Sequence, residues 1–180
     1  MSNTACTIKP FQQYDEHDVI NLYSFSGVLP VSKGTFVKVI TGWLPNQELT
    51  LLGSPGASFT NTVSSLYGNP AQVGQVTDSG AAVLGMLLYD VKLTDENGEA
   101  YKFNPRKAAE NEVAITGNSV PIVDKGIFLY SGVKGSPTAG AAAYVDNDAL
   151  LWVTGNGSTR VGTFLGPAQA GVVLFRLHID

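Results

Sequence analysis

Residues 120–132, VPIVDKGIFLYSG, constrain this chain more than any other stretch. A Pro-broken approach leads to a Lys125-Gly126 pivot, an apolar run follows from Ile127 to Tyr130, and Gly132 closes it. Glycine at the pivot lets the backbone reach positive φ or lie flat against a neighbour. The β-branched and aromatic residues after it suit a pleated, half-buried surface. The same grammar occurs in residues 29–42, LPVSKGTFVKVITG. Both copies run apolar-Pro-apolar, Lys-Gly, a Thr or apolar residue, then Phe and an aliphatic, and both end in Gly. We read them as an internal repeat of one β unit, with Phe36 and Phe128 predicted at matching buried positions. The likeness extends to residues 83–88 (VLGMLL) and 161–166 (VGTFLG), with the longer spacing of the first copy assigned to a loop around 53–69.

A chain of 180 residues can bury one sizeable core. Its 20 Gly and 9 Pro predict frequent turns and no long helix. Strands are expected over residues 20–26, 35–41, 72–77, 85–94 and 99–103, and in the second half over 113–115, 120–130, 142–146, 150–154, 160–165 and 172–179. Gly-rich turns separate the later ones at intervals of roughly 8–12 residues, the spacing of a sandwich or barrel. Asn97-Gly98 gives the strongest hairpin signal. Asn104 can cap a helical turn and Pro105 suits its first position. The predicted fold is all-β, a small β-barrel or β-sandwich built on a duplicated β unit. We divide it into a flexible N-terminal arm (1–10), a first β module (11–103) with an inserted loop around 47–69, a connector (104–112), and a second β module (113–180) sharing one core with the first.

Charged residues are only 14% of the chain and the net charge is −4. No basic field is available for nucleic acid, which is excluded as a partner. A surface so poor in charge is expected to hide apolar area against other subunits, in a homo-oligomer with a trimer favoured over a dimer. The single Cys6 cannot form an intrachain disulfide. No apolar run after a basic start suggests a signal peptide, and no stretch approaches about 18 apolar residues, so no membrane partner is expected.

Candidate chemistry is sparse. His17, within Tyr14-Asp15-Glu16-His17-Asp18, has carboxylate neighbours, but adjacent residues of an extended chain point to alternate faces, and a solvated turn is the expectation. His178 reads as a residue of the last strand. Two His and one Cys fall short of a four-ligand structural zinc site. Ser79, Ser131 and Ser136 lack the strand–turn–helix setting of a nucleophile elbow. Gly155-Asn156-Gly157 lacks the Lys-Ser/Thr of a phosphate loop. The acidic turns at 95–98 and 146–148 lack the rest of a calcium loop. We therefore expect no catalytic residue, metal or cofactor, and a protein that is not an enzyme. Trp43 and Trp152 are candidates for packing or interface contacts, with sugar stacking as the alternative role. The candidate interface set is Phe11, Tyr14, Trp43, Leu44 and Trp152.

The second half carries a recognisable order. Lys125-Gly126-Ile127-Phe128-Leu129-Tyr130 is followed by Tyr144-Val145-Asp146, then by residues 160–165 (RVGTFL) and 170–177 (AGVVLFRL). This resembles the capsid decoration (cement) proteins of tailed bacteriophages over residues 113–178; the first half joins only through the repeat, and residues 47–69 depart from the simpler members. The resemblance implies a virion protein, made in the host cytoplasm, that binds the capsid exterior, contacts the major capsid protein and braces the lattice, commonly as a trimer. Residues 1–9, small and polar, would serve as an arm that orders only against a partner. The competing expectation is a carbohydrate-binding β-sandwich module of a phage fibre or appendage, using Trp43 or Trp152.

Overall fold

In the computed structural model, which describes residues 8–42, 71–155 and 158–179, the chain is all-β. The first-half strands are β1 (Ile8–Gln13), β2 (Val19–Ile20), β3 (Ser24–Phe25), β4 (Phe36–Thr41), β5 (Gln72–Gln75), β6 (Gly85–Leu87) and β7 (Asp90–Lys92). After one short helix, α1 (Pro105–Glu110), come β8 (Val113–Ile115), β9 (Ile122–Val123), β10 (Lys125–Tyr130) and β11 (Val133–Lys134). The chain then forms β12 (Ala142–Val145), β13 (Leu151–Trp152), β14 (Thr159–Phe164) and β15 (Val173–His178).

Two sheets dominate. Sheet A has the order β1-β10-β15-β14-β12-β13-β11 and sheet B the order β2-β9-β6-β4-β5-β3; β7 and β8 form a separate parallel ribbon. Alternation along the strands decides which side chains fill the space between them. In β15, Val173, Phe175 and Leu177 are buried while Arg176 and His178 are exposed. Across sheet B, Phe36, Met86 and Val123 lie directly opposite one another and join the sheet A residues in one core cluster. The alternate positions Val37, Leu87 and Ile122 face the other way, into a second cluster with Val31, Val91 and Ala114. Sheet B is thus covered on both faces, by sheet A and by the β7–β8 layer.

Both Lys-Gly pivots adopt positive φ, +90° at Gly34 and +146° at Gly126. At Gly126 a Cβ would stand 2.8 Å from the Gln13 carbonyl oxygen and from the Phe128 ring, so only glycine fits. Phe36 and Phe128 are both fully buried in the same cluster. The two units also touch: the Tyr130 hydroxyl donates to the Gly34 carbonyl at 2.9 Å, and the Phe36 and Tyr130 rings stand 6.2 Å apart. An aromatic chain continues from Tyr130 to Phe175 at 5.4 Å and from Phe175 to Phe128 at 6.0 Å. Fully burying each such ring contributes about 1.5–3 kcal/mol.

The strand neighbours of the two units differ. β4 lies between β5 and β6, whereas β10 lies between β1 and β15. Gly85 sits on the strand beside β4, but Gly162 sits on β14, with β15 between it and β10. The likeness between 83–88 and 161–166 therefore does not extend to sheet order.

Several expected strands are divided. Residues 120–130 are not one strand: β9 belongs to sheet B and β10 to sheet A, so this stretch is the corner where the chain changes sheets. Hydrogen bonds from the Asp124 N–H to the Asp18 carbonyl and from the Ile179 N–H to the Asp124 carbonyl fix the corner. Residues 85–94 likewise break after Leu87, β6 staying in sheet B and β7 pairing with β8. The expected strand over 20–26 reduces to β2 and β3. Residues 99–103 return from the Asn97-Gly98 turn through a Thr94–Ala100 bridge, then coil into a 3-10 turn at Tyr101–Phe103. Helix α1 forms where capping chemistry predicted it, with the Asn104 side chain accepting from the Lys107 N–H and Pro105 in its first turn. At the other end, Ile8 to Pro10, the last three residues of the expected arm, are already strand, because Ile8 pairs with Tyr130 and is buried. The rest of the arm, and the inserted loop over 47–69, lie outside the described residues.

Candidate functional site

The outer face of sheet A is where the chain gathers aromatic and cationic side chains. Register places Lys134 on β11 beside Trp152 on β13, Trp152 opposite Tyr144 on β12, and Tyr144 opposite Arg160 on β14. These positions alternate with buried Ala143, Val145 and Leu151, which turns the row away from the core. The Lys134 ammonium lies 5.0 Å from the centre of the Trp152 ring and is ion-paired with Asp148. A cation over an indole face is attracted by the ring's negative quadrupole. The Trp152 Nε1 is buried, with no hydrogen-bond partner among the described residues.

The expected interface set divides. Tyr14 is 42% exposed and stacks on Phe128 at 5.9 Å, at the β1 end of sheet A. Phe11 belongs to β1, at the same end. Trp152 lies five strands away in the sheet order, roughly 24 Å along the sheet at normal strand spacing. Tyr14 and Trp152 therefore cannot share one small contact. Trp43 and Leu44 lie outside the described residues. His17 falls in a short 3-10 turn whose N–H donates to the Asp15 carboxylate at 3.1 Å, the solvated turn expected.

Sequence reasoning missed two strongly exposed apolar side chains and a hollow near them in sequence. Val28 is 89% exposed and Phe103 80% exposed, the most exposed large apolar side chains described. Leu29, next to Val28, and Tyr101, two residues before Phe103, line one hollow of about 620 Å³ with Pro30, Leu93, Lys92 and Asp95. Val28 stands in a turn beside Pro30, and that position was the available signal; Phe103 gave none, because it reads as the end of a return strand. In the wall of this hollow, Asp95 accepts from the Asn97 and Glu99 N–H groups and from the Lys107 ammonium. The Lys107 hydrogen bond, helped by those N–H groups, holds the Asp95 carboxyl below the usual carboxylate range. Asp95 in turn raises Lys107. The pair fastens α1 to the turn.

Fold and surface together define an all-β sandwich with an aromatic–cationic outer face and apolar tips. No protein-family model matches the chain, and no curated protein matches it.

Proposed function

We propose that this protein is a structural virion component that binds the outer surface of a phage capsid and stabilises its lattice. The observation that carries the reading is the position of the resembling segments. The strands they form, β10, β15, β14 and β12, are consecutive neighbours in sheet A. Segments from four parts of the sequence thus belong to one continuous surface. Sheet B, packed on both faces, makes that surface a stiff one, which suits a brace. The exposed apolar side chains Val28 and Phe103 suit contact with the major capsid protein or a second copy of this chain. On this reading the protein is a homo-oligomer, a trimer by preference, located on the capsid exterior.

A carbohydrate-binding role is the second reading, favoured by the adjacent Trp152 and Tyr144 on the outer face. The two separate by experiment. Purified protein mixed with capsids lacking it should co-sediment with them and give no signal on a glycan array. Glycan binding abolished by Trp152→Ala, without co-sedimentation, would establish the second reading instead.

A further inference from the structure

We infer that Arg160, Thr163 and Arg176 form a binding site for a compact oxyanion of the phosphate or sulfate type. Arg176 projects outward from β15 directly opposite Thr163 on β14. Arg160 folds along β14 toward the same point, its Nη2 donating to the Thr163 hydroxyl and its Nε to the Gly162 carbonyl, each at 3.5 Å. Thr163 is thus hydrogen-bonded by Arg160 and stands directly opposite Arg176 in the sheet. All three line a concavity of about 700 Å³ with Thr159, His178 and a floor of Ala82, Val83 and Ile179. Gly162 lets β15 approach β14 closely, since a Cβ there would strike the Arg176 carbonyl. The Thr159 hydroxyl donates to the Ala81 carbonyl at 2.6 Å and holds the rim.

Six other described cations, Lys33, Lys38, Lys92, Arg106, Lys107 and Lys134, are ion-paired, while Lys102 and Lys125, like the two arginines, have no ion pair among the described residues. Among the described residues no carboxylate lines the concavity. In a chain of net charge −4, two neighbouring cations with no acid beside them among the described residues form a local positive site. Guanidinium forks match oxyanions bidentately, and a threonine hydroxyl adds a further donor. The net negative charge of the chain disfavours extended polyanions and leaves a single compact group as the fitting ligand. That group is either a free ion or a phosphate ester on a larger molecule.

Titrating the full chain with sodium phosphate, O-phosphoserine and sodium chloride at matched ionic strength tests the site through the arginine Nε–H resonances. Arg160 and Arg176 should shift saturably with phosphate or O-phosphoserine and not with chloride. Arg176→Gln and, separately, Arg160→Gln should weaken that binding about tenfold or more. Tighter binding of O-phosphoserine assigns the ligand to a larger phosphorylated molecule, and tighter binding of phosphate to the free ion. Both substitutions are at exposed positions, so folded variants are expected, and the wild-type titration stands without them. Shifts that never saturate, that chloride reproduces, or that survive both substitutions would overturn the assignment.

Discussion

Gly126 shows how much one residue decides. Its φ of +146° and the 2.8 Å approach of the Gln13 carbonyl exclude a side chain. Gly126→Ala should destabilise the protein by about 1–3 kcal/mol, read as a lowered urea midpoint; an unchanged midpoint would mean that the pivot relaxes freely. Asp95 makes a different case. Its carboxyl is lowered in the folded state, so its contribution is present above the unfolded carboxylate pKa and disappears as pH falls through the folded value. Lys107 is raised, so its share is present below the unfolded lysine pKa and is lost only as pH rises through the folded value. Asp95→Asn should therefore lower stability at neutral pH and flatten the acid limb of urea midpoint against pH. An acid limb as steep as the wild type's would dissociate Asp95 from it. The sequence announced Gly126 through its Lys-Gly setting, because positive φ is a local demand. It could not announce the Asp95–Lys107 pair, which depends on where α1 docks.

Element type was legible where local chemistry is decisive and obscure where tertiary pairing decides. Asn104 and Pro105 signalled α1 because capping acts within one turn. Residues 120–130 looked continuous because apolar β-branched residues suit either sheet. Only the partners, Met86 for Val123 and Phe175 for Phe128, separate β9 from β10. The same holds at Leu87, where β6 ends and the chain leaves sheet B to pair with β8 as β7. The repeat correctly pointed to two equally buried phenylalanines yet could not foresee that β4 and β10 have different neighbours, since sheet order is not written in any one segment. Truncating either ring opens a void in one shared cluster. Phe36→Ala and Phe128→Ala should each cost about 3–5 kcal/mol by chemical denaturation. A cost below about 1 kcal/mol for either would show that its site collapses around the gap.

At the scale of the whole molecule, the all-β class followed from Gly and Pro frequency and strand spacing. The surface did not. Tyr14 and Trp152, joined in one expected interface, stand at opposite ends of sheet A, and the row Lys134–Trp152–Tyr144–Arg160 emerges only from register. Arg160 and Arg176, 16 positions apart in sequence, line one concavity because β14 and β15 pair antiparallel. The proposed bracing role rests on resembling strands that share one face of sheet A. The most direct test is the temperature at which phage particles release their DNA, measured with and without this protein bound. Particles lacking it should assemble yet release DNA at a lower temperature, and adding the purified protein should restore the higher one. Equal release temperatures in both preparations would contradict the stabilising role.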